Sequence, residues 1–313
     1  MIDAGDSPAQ AKVAETLLTS KELATGPWSR FRADFAESRL AMLGLALLVV
    51  ILLIGILAPV ISPQNPYDLA QLDVMDSKLA PGEESANGRT YWLGTDDQGR
   101  DMLSGIFYGL RISLGVGVAS TVFALSIGLT FGLLAAYFGG WVDMLIMRIV
   151  DIQLSFPAIL IALVLLAVLG QGVDKIVVAL VTVQWAYYAR TVRSSALVER
   201  QKEYIEAARV LALGQARVVF RHLLPNCLPP LIVVATVQVA HAIALEATLS
   251  FLGLGLPITE PSLGLLISNG FQYLLSGKYW ISFYPGIALL LTIMSINLVA
   301  DQLRDILNPR LRR

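Results

Sequence analysis

The sequence is short of charge, cysteine and histidine. Of its 313 residues, 15% are Asp, Glu, Lys or Arg, where soluble domains hold roughly a quarter. With 56% hydrophobic residues and a mean hydropathy of +0.66, that deficit excludes an ordinary soluble domain and marks a polytopic membrane protein. The single cysteine, Cys227, excludes an internal disulfide, and its place beside an apolar run suits packing rather than redox chemistry. There is no CxxC, no His/Cys cluster and no Walker-type glycine loop, so no bound metal, no bound cofactor and no nucleotide hydrolysis are expected of this chain. No group of side chains suits acid/base or nucleophilic catalysis. The formal net charge of −1 gives no reason to expect a nucleic-acid partner. Neither an internal repeat nor a low-complexity tract is present.

Long apolar runs divide the chain into six expected spans joined in an all-α bundle. Residues 1–39 form a polar tail, too long and too acidic for the charged region of a signal peptide, so no cleavage is expected. Within it Trp28, Phe31 and Phe35 recur at helical spacing and suit a short interfacial helix. The run from Leu40 to Ile61 carries no charge. At ~1.5 Å per residue it covers about 33 Å, enough for the hydrocarbon core. Further spans are expected at 112–137, 141–169, 176–189, 228–251 and 284–300, with loops at 62–111, 190–227 and 252–283.

Several spans carry readable detail. Gly128 and Gly132 make a GxxxG face for close helix packing. Pro157 predicts a kink in the third span, either a static packing feature or an aid to a moving gate. Arg148 and Asp151 stand three apart and can pair at the membrane face, since a charge at mid-bilayer would cost about 2.5–3.5 kcal/mol. Trp185, Tyr187 and Tyr188 are expected as an interfacial belt closing the fourth span. In the fifth, His241 is either a pathway group or a neutral imidazole bonded to a neighbouring helix. Glu246 is expected near the outer surface, lining the path of a charged substrate or reaching the headgroups. Gln184 and Gln238 suit polar ties between helices.

Ahead of the second span, the stretch Leu93-Gly94-Thr95-Asp96-Asp97-Gln98-Gly99-Arg100-Asp101 contains a capping box, Thr95 with Gln98. An apolar stripe, Met102, Leu103, Ile106, Phe107 and Leu110, follows it and predicts an amphipathic helix at the outer face.

The most charged segment is Glu203 to Pro225, EYIEAARVLALGQARVVFRHLLP, set between long apolar runs. Ile205, Ala208, Leu211 and Ala212 recur at helical spacing, with Glu206 and Arg209 on the opposite face. Gly214 suits a C-terminal stop, Arg217 and Arg221 lie one turn apart in a second helical run, and Pro225, Pro229 and Pro230 mark the entry to the next span. Small residues Ala207 and Ala208 on the surface of such a helix suit docking into a groove of a partner. A solvated loop helix that binds nothing has the same pattern.

Glu206-Ala207-Ala208 followed by Leu224-Pro225 resembles the EAA loop of ATP-binding-cassette (ABC) importer permeases. The 93–101 stretch resembles the LGTD-x-x-GRD signature of the peptide and nickel branch of that family. Ser250-Phe251-Leu252-Gly253-Leu254-Gly255 and the 301–310 end match the same branch. Resemblance runs from about Leu40 to the C-terminus. Three positions depart from the pattern: Ala212 stands where the family has Gly, which moves the expected bend towards Gly214; His222 replaces Ile; and Leu263-Gly264 replaces Trp-Gly.

The resemblance implies a permease subunit of the DppC/OppC type with the MetI-like, six-span type I importer fold. It implies transport of dipeptides or oligopeptides, or else of nickel or another small solute such as glutathione. It also implies an inner-membrane location, a second homologous permease as partner, an external solute-binding protein, and two cytoplasmic ATPases that use ATP and Mg. Glu203, Glu206, Ala207, Ala208, Arg209, Ala212 and Gly214 would form the coupling helix in the ATPase cleft; Pro157, Gln238, His241 and Glu246 are candidates for the pathway or gate. Basic residues fit an N-terminus and C-terminus inside: Lys12, Lys21, Arg30, Arg32, Arg39, Arg148, the Arg190–Arg221 cluster, Arg304, Arg310, Arg312 and Arg313 inside, against Lys78, Arg89, Arg100, Arg111, Lys175 and Lys278 outside. An ion-coupled secondary transporter is the competing class, and intramembrane carboxylates and internal repeats would mark it. A non-transporting scaffold is a third.

Overall fold

A computed structural model describes residues 26–68, 71–85 and 88–307. Most of the polar tail and the Asn308-Pro309-Arg310 end lie outside the described residues. Eleven helices, numbered α1–α11, carry the described chain: Pro27–Glu37 (α1), Arg39–Ile61 (α2), Met102–Phe138 (α3), Gly140–Leu154 (α4), Ala158–Leu169 (α5), Val173–Glu199 (α6), Glu203–Val210 (α7), Gln215–Arg217 (α8), Leu224–Phe251 (α9), Leu263–Phe271 (α10) and Trp280–Leu307 (α11). A π-helical turn, Val218–Leu223, joins α8 to α9. Among the described residues there is no strand, only two isolated bridges, Glu84 with Thr90 and Thr95 with Asp101.

Four segments are long and apolar enough to cross a membrane: Arg39–Ile61, Met102–Phe138, Val218–Phe251 and Trp280–Leu307. The α4–α5 pair makes a fifth if taken as one span, bent by 89°. The kink expected at Pro157 is thus a right-angle break. Proline has no N–H to donate, and it disfavours helical geometry at Phe156, so α4 ends at Leu154 and Pro157 stands as the N-cap of α5. The fourth expected span, 176–189, belongs to the longer α6, which falls short of the same apolarity because Arg190 and Arg193 lie within it. Protein covers one face of this helix: Ile176, Ala179, Leu180, Ala186, Tyr188, Ala189 and Val192 are fully buried, while Val178 and Tyr187 are exposed. Tyr188 therefore belongs to the core, not to an interfacial belt.

The packing explains that burial. The α3–α6 pair forms the most extensive helix contact, and the GxxxG face makes it. A Cβ on Gly128 would meet the Trp185 carbonyl oxygen at 2.6 Å, and one on Gly132 would meet the Ala189 carbonyl oxygen at 2.6 Å. Helix α3 begins at Met102, ten residues before the expected span, and runs unbroken to Phe138. Its N-cap is Asp101, which accepts from Ser104 N at 2.9 Å. The capping box expected at Thr95 and Gln98 does not form. Thr95 Oγ1 instead accepts from Leu79 N and donates to the Asp76 carbonyl, and Asp96 Oδ1 accepts from the backbone of Gln98 and Arg100 at 2.8 and 2.9 Å.

Those bonds belong to a compact loop, 62–101, that sits on one end of the bundle. Asp76 accepts from Ser85 Oγ at 2.8 Å and Tyr91 OH at 2.9 Å. Gln64 Oε1 accepts from Asp101 N at 2.6 Å, and Trp280 Nε1 donates to the Thr95 carbonyl at 3.2 Å. Arg100 Nη2 reaches the Ile258 carbonyl at 2.8 Å and so ties this loop to the one after α9. Burial pushes the Asp96 carboxyl up to about 6 despite the neighbouring Arg100.

Candidate coupling helix and the polar groups of the bundle

Helix α6 is 27 residues long, about 40 Å at ~1.5 Å per residue. Its start lies by the loop after α9, through Gly172 N to the Gly255 carbonyl at 3.3 Å. Its end therefore delivers α7 to the opposite end of the bundle. Three groups fix that delivery. Arg200 Nη1 donates to the Ala136 and Tyr137 carbonyls at 2.9 and 3.2 Å and satisfies the open end of α3. Lys202 pairs with Glu199 at 2.5 Å, and Tyr204 OH donates to Glu199 at 2.7 Å. Partial burial, with the Glu199 bond second, pushes the Tyr204 phenol up to about 12.

The two faces of α7 differ. Ile205 and Ala208 are buried at 1% and 4% exposure, in one cluster with Val218, Leu223, Cys227 and Leu231. Burying an Ile-sized side chain contributes ~1.5–3 kcal/mol, which holds so short a helix where propensity alone would not. Ala208 thus faces inward, not outward. Glu203, Glu206 and Ala207 are exposed, and so are Val210, Leu211 and Ala212 after them. Leu211 does not continue the apolar stripe, because α7 has ended at Val210. The backbone of Arg209 completes α7, and its side chain lies outside the description.

The turn that closes the helix is made at Ala212, not at Gly214. Ala212 adopts φ +52, in the left-handed region, and Leu213 N bonds back to the Ala208 carbonyl at 3.2 Å, the closure of a Schellman turn. Gly214 has φ −56 and ψ 142 and caps the start of α8. The bend is therefore undisplaced: the chain makes the turn where the family has Gly, and makes it with Ala.

The four pathway or gate candidates do not come together. Pro157 sits at the α4–α5 break. Gln238 is buried, and its backbone carbonyl accepts from Gln184 Nε2 at 3.2 Å, a tie between α9 and α6 of the kind expected. His241 is exposed on the surface of α9, and its Nδ1 faces the Val237 carbonyl of its own helix at 3.2 Å, not a neighbouring helix. Glu246 is 0% exposed. It neither reaches the headgroups nor lines an open path: Ser113 Oγ on α3 and Ser250 Oγ donate to it at 2.8 Å each, and the hydroxyl of Ser262, N-cap of α10, also faces it.

Sequence reasoning missed other ties. Arg193 grips Asp143 through Nε at 2.5 Å and Nη2 at 2.6 Å. Asp151 pairs with Arg190, not with Arg148. Gln153 bonds the Thr182 carbonyl and accepts from Trp185 Nε1 at 2.8 Å. Together these lock α4 to α6. Helix α10 was also unforeseen, although Ser262 ahead of Leu263-Gly264-Leu265-Leu266 is an N-cap before an apolar run.

Comparison with known proteins extends this geometry. A family model described as the inner membrane component of binding-protein-dependent transport systems matches residues 128–313. A second, described as the N-terminal TM domain of oligopeptide transport permease C, matches residues 26–81. The dipeptide transport system permease protein DppC of Escherichia coli is 40% identical over 304 residues, covering 97% of this chain and 100% of that protein. DppC of Alkalihalophilus pseudofirmus is 37% identical over 289 residues, covering 92% of each. Among solved structures, a chain of the inward-facing MetNI methionine ABC transporter aligns with a TM-score of 0.54 at 23% identity, over 66% of this chain and 98% of that one. That last likeness bears on the fold alone.

Proposed function

The chain belongs to the inner membrane components of binding-protein-dependent transport systems, and from that premise we propose that it forms half of the translocation pathway of an ATP-driven importer of dipeptides or oligopeptides. It is a multi-pass inner-membrane ABC permease subunit, not an enzyme. In the proposed assembly a second, related permease completes the pathway, an external binding protein delivers the peptide, and two cytoplasmic ATPases consume ATP and Mg. Both termini and α7 face the cytoplasm, and the 62–101 loop faces outward, as the excess of basic residues demands. The names of the relatives favour peptides over nickel or glutathione.

One observation carries the coupling role. Helix α7 is keyed into the bundle by Ile205 and Ala208 and leaves Glu203, Glu206 and Ala207 uncovered at the end remote from the 62–101 loop. A helix so held transmits a push from a docked partner to the cluster behind it. An ion-coupled mechanism is disfavoured because Glu246, a carboxylate buried within α9, is engaged by serine hydroxyls rather than open to a pathway. Glu206→Lys should abolish uptake of radiolabelled dialanine in cells expressing the full set of subunits, with the chain still present in the membrane and the ATPase no longer co-purifying. Unimpaired uptake would refute the role.

A further inference from the structure

The turn between α8 and α9 is π-helical over Val218–Leu223, and Leu224 N bonds to the Val219 carbonyl, five residues back. Pro225 accounts for it. In an α-helix the N–H of residue 225 would bond the Arg221 carbonyl, but proline has none and its ring collides with that carbonyl. Widening the turn relieves the collision. The weakness continues along α9: Pro229 and Pro230 lie inside the helix and leave the carbonyls of Pro225 and Asn226 without their α-helical donors. One side chain bonds into the ladder here, Asn226 Nδ2 donating to the His222 carbonyl at 2.7 Å, but it reaches none of the three carbonyls the prolines leave open. The stretch from Val218 to Pro230 is thus helical in shape and under-bonded along its ladder.

Its position matters. The inner face of the stretch, Val218, Leu223 and Cys227, packs in the same cluster as Ile205 and Ala208 of α7. Below Pro230, α9 is tied to the bundle by the Gln184–Gln238 and Glu246–Ser113 bonds. A soft segment therefore separates a pushed helix from an anchored one. A π-turn holds one residue more than an α-turn, and loss of it re-registers the helix by one residue, about 1.5 Å of rise and 100° of rotation.

We propose that Pro225 sets a mechanical joint at Val218–Pro230, at which the widened turn yields when α7 moves and passes that motion to α9. The proposal rests on the coupling role of α7. Pro225→Ala restores the N–H to the Arg221 carbonyl and lets the ladder close as α-helix. In the full chain, co-expressed with its partner subunits, this variant should keep or raise its melting temperature and still co-purify with the ATPase. Uptake of radiolabelled dialanine should nevertheless fall about tenfold or more. Pro229→Ala, which closes the next gap in the same ladder, should act in the same direction. A merely structural proline gives the opposite pairing, lower stability with uptake lost only in proportion to protein lost, and that result overturns the joint. So does normal uptake by Pro225→Ala. Glu206→Lys in the same assay separates the two ideas: if it stops uptake and Pro225→Ala does not, the joint alone fails; if neither stops uptake, the coupling role fails with it.

Discussion

Ala212→Gly should tighten the end of α7. Ala212 is held at φ +52, and a non-glycine residue in the left-handed region costs ~1–2 kcal/mol. Glycine removes that cost but gains ~0.5–1 kcal/mol of freedom when the turn opens. The balance is about 0.5–1 kcal/mol in favour of the closed turn, roughly a two- to fivefold shift in the local opening equilibrium. Opening breaks the bonds of Leu211 N to the Ala207 carbonyl at 3.0 Å and Leu213 N to the Ala208 carbonyl at 3.2 Å. Exchange of these two amides, followed by mass spectrometry on the purified chain, should slow by that factor. Ala212→Val should speed it, because a β-branched side chain fits the left-handed region worse still. Gly214→Ala provides the contrast: with φ −56 and nothing within 4 Å of an added Cβ, it should leave exchange unchanged or slightly slowed. If Gly214→Ala loosened the turn while Ala212→Gly did nothing, the bend would lie at Gly214 and the reasoning would fail.

Two further outcomes follow from the packing and from the 62–101 loop. Gly132→Val should destabilise the α3–α6 seam by at least ~1–3 kcal/mol, since its Cβ would meet the Ala189 carbonyl and Val192 Cβ at 2.6 and 2.7 Å, whereas Gly115→Val, with open space around it, should be tolerated; melting temperatures of the two in detergent decide it. The Asp96 carboxyl, raised to about 6 from an ordinary value near ~3.9, binds its proton more tightly in the folded loop than in the open one. Its contribution to stability is full below the unfolded value and is lost as pH rises through about 6. Between pH 7 and 5 the loop should thus gain about 1 kcal/mol. Amide exchange of residues 96–101, corrected for intrinsic rates, should show that gain, and Asp96→Asn should erase it.

The sequence was most legible where a single local rule governs. The uncharged run of 40–61 is a helix from Arg39 to Ile61, because length and apolarity alone decide a span. Glu203–Val210 is a helix because its stripe has helical period and a cluster to bury it. Legibility failed where two rules competed. Thr95 and Gln98 fit a capping box, but Asp96 takes the Gln98 amide together with that of Arg100 in a tight turn, so the helix is capped at Asp101 instead. Residues 252–283 are expected as a loop, yet Gly264 and Gly270 let α10 form there and touch the backbones of Ala247 and Ser282. Glu246 is expected near the outer surface, yet it is fully buried. Its relief comes from Ser250 one turn away and from Ser113, 133 residues away, and no local pattern records the second partner.

The bonding differs systematically between the two ends of the molecule. Around the 62–101 loop the elements are joined by directional bonds: Asp76 to Ser85 and Tyr91, Gln64 to Asp101, Trp280 to Thr95, Arg100 to Ile258. At the other end such bonds bind α3 and α4 to α6, through Arg200, Arg193–Asp143 and Arg190–Asp151. Helix α7 is bonded through Tyr204 to Glu199 at the end of α6 and to Asn226 of α9, and its packing against the π-turn and α9 runs through Ile205, Ala208, Val218, Leu223 and Cys227, all apolar. Hydrogen bonds weaken steeply with misalignment, while burial of apolar surface is indifferent to direction. Along that apolar contact a displacement at α7 meets little directional resistance, and the contact leads into the segment whose ladder the prolines have already loosened.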